Sequence, residues 1–291
     1  MEDAMQKNYR DELTGLLGCP VDENPTGTVM EAAYRQLGLP FRYVTMLVYP
    51  QGLQAAIMGL LAMNYRGVNL TIPHKVAVLP YLDSLTPAAE IIGAVNNITV
   101  SEGKLRGENT DGKGMLLSLR QHGQDPAGKA LVILGAGGAA RAIAVECALA
   151  GAEKITVINR SALRGEELAR LVNERTLVHC RYLPWDGPVS IPEGTALLVN
   201  ATSVGLYPDC SAKPDIDYDS LRAGMAVCDV VFNPPDTPFL QAAKARGAQV
   251  IDGLGMLVNQ AALNFTLWTG KQAPQVLMAR TLKAQFDPAQ N

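Results

Sequence analysis

Short apolar runs alternate along this chain with longer stretches in which apolar residues recur at helical spacing, a pattern that predicts layered α/β structure. The clearest run is LVIL at 131–134, four consecutive apolar residues that predict a strand buried on both faces, as in a parallel sheet. Gly135-Ala136-Gly137-Gly138-Ala139-Ala140 follows it, and 141–146 continues as a good helix former. Upstream, strands are predicted at 13–18, 41–48 and 67–72. Helices are predicted from Thr28 to the Gly38-Leu39-Pro40 stop, over 51–63, and from near Lys75. Residues 94–100 and 104–107 flank Ser101-Glu102-Gly103, a hairpin signal, and the alternation as a whole predicts a parallel layer in this half too. A helix is expected from Asp111 to Arg120, and the domain change is placed near residue 112. Beyond it, strands at 155–158, 196–199, 226–231 and 249–251 and a helix at 164–174 have the rhythm of a doubly wound sheet. Helical periodicity returns at 257–268 and 274–286, whereas 1–12 reads as a loose leader.

Composition narrows the class without changing this picture. With 291 residues, 48% hydrophobic and 18% charged, the chain has the make-up of a well-cored protein of two domains. A net charge of −3 and the lack of any dense Lys/Arg run argue against a nucleic-acid partner. No apolar stretch reaches the ~18 residues of a membrane span, and the polar start lacks a signal-peptide core. Cys19, Cys147, Cys180, Cys210 and Cys228 contain no C-x-x-C pair, which indicates neither zinc nor a disulfide framework. A cytoplasmic protein with reduced thiols is the simplest expectation, as a monomer or homodimer handling a small molecule.

The glycine run carries the first chemistry. It fits G-x-G-x-x-[GA] between a strand and a helix, the context in which that pattern signifies dinucleotide binding. Gly135 permits the tight turn, Gly137 lets a pyrophosphate approach the backbone, and small Ala140 lets helix and strand pack closely. Free N–H groups and the positive helix end then face the phosphates. An NAD site usually places Asp or Glu at the end of the second strand. Here that strand ends Val157-Ile158-Asn159-Arg160-Ser161, with Arg164 one turn later and no carboxylate in place. Two arginines at a helix start oppose its dipole unless an anion compensates them, so Arg160 and Arg164 point to the 2′-phosphate of NADP.

Polar residues cluster at other strand ends and loops: Thr71, Lys75, Asn96, Asn109 and Asp111. Lys75 beside a carboxylate could move a proton to or from an alcohol oxygen while a cofactor moves the hydride. His74 is the alternative base, although a histidine at a helix start is more often a surface residue.

These segments together resemble the shikimate/quinate dehydrogenase family over nearly the whole chain. The resemblance rests on Asn69-Leu70-Thr71-Ile72-Pro73-His74-Lys75, Gly93-Ala94-Val95-Asn96, Asn109-Thr110-Asp111-Gly112, the glycine turn and Asn159-Arg160-Ser161. It continues through Asn200-Ala201-Thr202-Ser203-Val204-Gly205, Asp252-Gly253-Leu254-Gly255-Met256-Leu257 and Gln260. It implies two α/β domains: a substrate-binding domain at 1–112, completed by C-terminal helices within 256–291, and a Rossmann-like NADP-binding domain at 113–255, with a cleft between. Lys75 would be the catalytic lysine and Asp111 its partner. Thr71, Asn96, Asp111 and Gln260 would hold ring hydroxyls, and Gly135, Ala136, Gly137, Gly138 and Ala139 the cofactor's phosphates. The turn at 200–203, including Thr202, would line the nicotinamide with Gly253, and Val230 would also contact the cofactor. The implied activity is NADP-dependent oxidation of shikimate to 3-dehydroshikimate, in aromatic amino acid biosynthesis.

Two departures qualify the substrate. The family's His-Ser-x-Ser-Pro run, whose serines bind the substrate carboxylate, aligns with Glu23-Asn24-Pro25-Thr26-Gly27, so Asn24 and Thr26 replace the serines. Phe232 stands where the family usually has a substrate-contacting tyrosine. A member acting on quinate, an amino analogue or another cyclic polyhydroxy carboxylate is the alternative, and a non-catalytic NADP-binding regulator is the rival from another class. A mere binder has no need of the Lys75 and Asp111 pair.

Overall fold

A computed structural model describes residues 9–286. Most of the expected leader, 1–8, lies outside the described residues, and Glu12 already belongs to the first strand.

The first half contains strands β1 (Glu12–Gly18), β2 (Phe41–Leu47), β3 (Tyr65–Leu70), β4 (Ser84–Leu85), β5 (Asn97–Ser101) and β6 (Lys104–Glu108). Between and after them lie α1 (Thr26–Gln36), α2 (Leu53–Ala62), α3 (His74–Ala77), α4 (Pro87–Ile92) and α5 (Asp111–Gln121). The strands form one sheet in the order β2-β1-β3-β5-β6-β4. β1, β2 and β3 pair in parallel, but β5 is antiparallel to both β3 and β6, so the layer is mixed rather than wholly parallel. The turn at 101–103 explains the difference, because a tight hairpin reverses the chain where a crossover helix would not. α1 also begins at Thr26, two residues before the expected start.

The second half contains β7 (Ala130–Leu134), α6 (Gly138–Leu149), β8 (Lys154–Asn159), α7 (Ala162–Arg175), β9 (His179–Pro184), β10 (Val189–Ser190), β11 (Leu197–Asn200), β12 (Ile216–Asp217), β13 (Ala226–Asp229), α8 (Pro238–Ala245), β14 (Gln249–Ile251), α9 (Leu254–Thr269) and α10 (Gln275–Ala284). Six of these strands make a sheet in the order β14-β13-β11-β7-β8-β9, parallel throughout. Alternation along β7 serves both faces. Leu131 and Ile133 join the core with α6 and α7, whereas Val132 and Leu134 join Phe239 and Leu240 of α8. That is why the run at 131–134 shows no polar position.

α9 and α10 return to the first sheet, where Phe265, Trp268, Met278 and Leu282 share a core with Leu16, Tyr34, Phe41 and Tyr43. The Trp268 indole N–H donates to the Ile98 carbonyl at 3.1 Å. α5 lies between α6 and α9, and its glycines allow the approach. A Cβ on Gly112 would sit 2.3 Å from the Ala142 carbonyl oxygen, and one on Gly114 2.6 Å from that of Met256. Asp111, the first residue of α5, is thereby held where the two sheets meet.

Candidate active site

β3 ends at Leu70, and the Thr71–Pro73 turn leads into the single turn of α3, which carries Lys75. His74 is fully buried rather than on the surface, with Nε2 2.7 Å from the Val48 carbonyl oxygen. The loop after β2 folds over it, so His74 fastens α3 to the sheet and aims the next residue. The Lys75 ammonium donates to Asp111 Oδ2 at 2.6 Å, and Asn96 Nδ2 donates to Asp111 Oδ1 at 2.7 Å. Asn96, expected to hold a ring hydroxyl, is 3% exposed and stands behind Asp111, with Oδ1 accepting the Thr110 backbone N–H at 2.7 Å.

Lys75 and Asp111 face a cleft of about 470 Å³ between the sheets. Ile72, Val76, Ala94 and Asn109 line it on the same side, and Gly138, Ala139, Val230, Phe232, Gly253, Met256, Leu257 and Gln260 close the other. Among the described residues, Lys75 and Asp111 are the only titratable side chains in this lining. An ammonium and a carboxylate in contact, on an otherwise apolar and amide wall, can exchange a proton with a bound oxygen.

Through Phe232 the cleft adjoins a corner of about 390 Å³ lined also by Asp22, Glu23, Asn24 and Thr71. Asn24 Oδ1 accepts the Thr26 N–H at 3.0 Å, so the amide closes the start of α1, and Thr26 lies buried behind it. Among the described residues, two carboxylates and no lysine or arginine line the corner. The Phe232 ring packs on Phe286, with centroids 5.6 Å apart.

Across the cleft, Gly135 has φ +104°, a conformation that favours glycine. Gly137 caps α6 without any side-chain hydrogen bond, and a Cβ built on Gly137 or Gly138 meets nothing within 4 Å. This open, uncapped helix start fits a pyrophosphate, whereas buried Ala140 packs into the core beneath it. Arg160 and Arg164 are exposed at the start of α7 and have no ion-pair partner among the described residues. Arg160 and Asn159 line a cavity of about 330 Å³ with Thr202, Trp185 and Lys213, while Arg164 lies outside its lining. Trp185 and Lys213 escape a reading of the sequence, because β9, which delivers Trp185, lacks a clear strand signal. The Trp185 indole is fixed by a 2.8 Å bond to the Asp215 carbonyl.

Beneath Val230, Asp229 is fully buried and accepts from Asn200 Nδ2 at 2.9 Å, Thr237 Oγ1 at 2.8 Å and the Val231 N–H at 3.0 Å. Burial outweighs these donors and pushes its carboxyl up to about 6. A folded-state pKa above the unfolded one means that folding favours the protonated form. Asp229 therefore contributes stability at low pH that is lost as pH rises from its ordinary range through about 6. In denaturant titrations, the stability of the unmodified protein relative to Asp229→Asn should fall over that interval and then level off. A flat difference would contradict the assignment.

Among the described residues the five cysteines are unpaired, and no helix is long and apolar enough to cross a membrane. A family model for the shikimate dehydrogenase substrate binding domain matches residues 16–98, and one for the shikimate 5'-dehydrogenase C-terminal domain matches 253–283. A shikimate dehydrogenase (NADP(+)) of Desulforamulus reducens is 41% identical over 281 residues, covering 96% of this chain and 97% of that protein. The crystal structure of 5-ketofructose reductase from Gluconobacter sp. strain CHM43 is 48% identical with a TM-score of 0.93, covering 96% of this chain and all of that one. Shikimate 5-dehydrogenase from Thermus thermophilus, solved with NADP(H) and shikimate, is 36% identical with a TM-score of 0.82, covering 94% of this chain and 99% of the other.

Proposed function

The chain belongs to the shikimate dehydrogenase family, and from that premise we propose that Lys75 and Asp111 move the proton in an NADP-dependent interconversion of a ring alcohol and its ketone. The observation that carries this reading is the 2.6 Å contact between the only two titratable side chains on the cleft wall among the described residues. NADP supplies or accepts the hydride. The Lys75 ammonium, steadied by Asp111, gives a proton to the oxygen of the ketone being reduced and takes one back from the alcohol in the reverse direction. Thr71, Asp111 and Gln260 orient the ring hydroxyls, and Asn96 supports Asp111 from behind. The glycine turn and α6 start hold the pyrophosphate, Val230 and Gly253 border the nicotinamide, and Arg160 and Arg164 meet the 2′-phosphate. On this reading 1–112, with 256–291, serve the substrate and 113–255 the cofactor, in a cytoplasmic enzyme.

Shikimate and 3-dehydroshikimate, the pair of the curated relatives, are the first substrates assigned. The corner beside Thr71 favours a second reading. A carboxylate seated there faces Asp22 and Glu23 without a cation, and Asn24 Oδ1 already occupies one N–H of the α1 start. An uncharged polyhydroxy ketone avoids that repulsion, and the named substrate of the Gluconobacter relative, 5-ketofructose, carries no carboxylate. The test pairs a panel of both substrate types with the double change Asn24→Ser and Thr26→Ser. Shikimate should show a high KM with a less affected kcat, and the double variant should lower that KM by roughly tenfold, the scale of one hydrogen bond to a charged group. The KM for NADP should not move. Saturation of the unmodified enzyme by micromolar shikimate, with a poorer double variant, would leave shikimate alone as the reading.

A further inference from the structure

Gln260 is the one amide from α9 that lines the cleft, and its side chain could face a substrate as donor or as acceptor. We propose that Asn264, one turn further along α9 and absent from the cleft lining, is a positioning residue that fixes Gln260 as a donor and couples it to Asp111. The proposal rests on the reading of the cleft as the site of a hydroxylated ring substrate.

The argument turns on two groups that cannot reverse their roles. At one end, Gln260 Nε2 donates to the Leu257 carbonyl at 3.1 Å, and a carbonyl only accepts. The Gln260 oxygen is then turned toward Asn264, whose Nδ2 donates to it at 3.1 Å. Asn264 Oδ1 is left facing the Thr110 hydroxyl at 3.0 Å, and that hydroxyl must donate. At the other end, the Asp111 carboxylate accepts from Asn96 Nδ2, which turns Asn96 Oδ1 toward the Thr110 backbone N–H at 2.7 Å. The Thr110 hydroxyl also lies 3.1 Å from Asn96 Oδ1, but it has a single proton; Asn96 Oδ1 already accepts the backbone N–H, whereas Asn264 Oδ1 has no other donor among the described residues. The proton serves Asn264. Every amide in the chain from Asp111 to Gln260 therefore has one assigned orientation, set by a carboxylate and a carbonyl.

What remains for the cleft is the second proton on Gln260 Nε2, which suits a hydroxyl or carbonyl oxygen acting as acceptor. Thr110 and Asn264 are both fully buried, so neither bond is exchanged with solvent. Packing holds the two ends in register, because a Cβ on Gly114 would come within 3.0 Å of the Gln260 nitrogen.

The test has one arm that needs no turnover. In protein labelled at side-chain amides, the two Gln260 Nε2 protons should exchange at clearly different rates, and Asn264→Leu should bring the rates together. Unchanged Gln260 exchange in that variant would overturn the proposal. In kinetics, Asn264→Leu should raise the substrate KM about tenfold with kcat within a fewfold and NADPH affinity unchanged, the scale of one misdirected hydrogen bond. Added to Gln260→Leu, the same change should have little further effect; an equal, additive loss in both backgrounds would indicate a packing role and sink the idea. Asn264→Asp provides the arm for a leucine variant that does not fold. Its carboxyl has a donor for Gln260 only when protonated, so its KM should rise with pH where the parent's does not, and a parallel profile counts against the proposal. Absence of turnover in the unmodified enzyme would refute the function while the exchange arm still decides the role of Asn264.

Discussion

Replacing Lys75 with alanine should lower kcat by about 10²-fold or more, the usual scale for a general acid–base group, while NADPH affinity stays within about twofold. The two effects separate because the two tasks lie on different elements. Lys75 projects from α3 at the end of β3, whereas the open glycine turn and α6 belong to the second sheet. No other cation lines the cleft among the described residues, so no neighbour can take over the proton. Asp111→Asn should behave differently. It removes the charge that holds the ammonium at 2.6 Å and returns an amide to Asn96 Nδ2, a donor facing a donor or a forced reorientation. Both kcat and substrate KM should therefore suffer. Steady-state rates with a fluorescence titration of NADPH measure all four quantities. A Lys75→Ala enzyme with near-native kcat would remove lysine from the proton transfer.

How far the sequence reaches depends on whether a residue's role is local. The buried strand β7 and its glycine turn are legible because both faces of the strand are covered and a sharp turn into a helix demands small residues. β9 is not. It is an edge strand, HCRYLP, whose exposed positions break the apolar run that would mark it, and with it goes Trp185. α8 is absent from the expected elements, although Thr237 accepts from the Leu240 N–H and Pro238 opens the helix, a capping signal that is there to read. Lys75 and Asp111 emerge as a pair from residue type and resemblance, but the residues that hold them do not. His74 looks like a surface residue because only the fold brings the Val48 carbonyl over its ring, and the bond from Asn96 to Asp111 is equally hidden because only the fold sets one behind the other. Asn264 carries no signal at all. Within 257–268 it is one polar position on an apolar helix, and its meaning appears when Thr110, 154 residues away, is placed against it.

The hold on the cofactor's extra phosphate should be lost selectively when the two arginines at the start of α7 are removed. Arg160→Ala with Arg164→Ala should weaken NADP binding by roughly ten- to a hundredfold for each arginine, from ~1.5–3 kcal/mol per charge-assisted bond. NAD, which lacks the phosphate, should change by far less. The structural reason is that both cations sit exposed at a helix start, where the dipole is unfavourable to them and no carboxylate offsets it among the described residues. An arrangement that is uncomfortable without an anion is suited to binding one. Lys213 faces the same cavity as Arg160, so Lys213→Ala should deepen the NADP loss of Arg160→Ala while leaving NAD alone. Trp185, locked by its bond to the Asp215 carbonyl, stays in all these variants and keeps the cavity wall in place. Because the contacts are exposed ion pairs, the parent's NADP affinity should also fall with added salt more steeply than that of the double variant. Equal losses for NADP and NAD, or salt dependence that survives the double change, would show that the arginines do not read the 2′-phosphate.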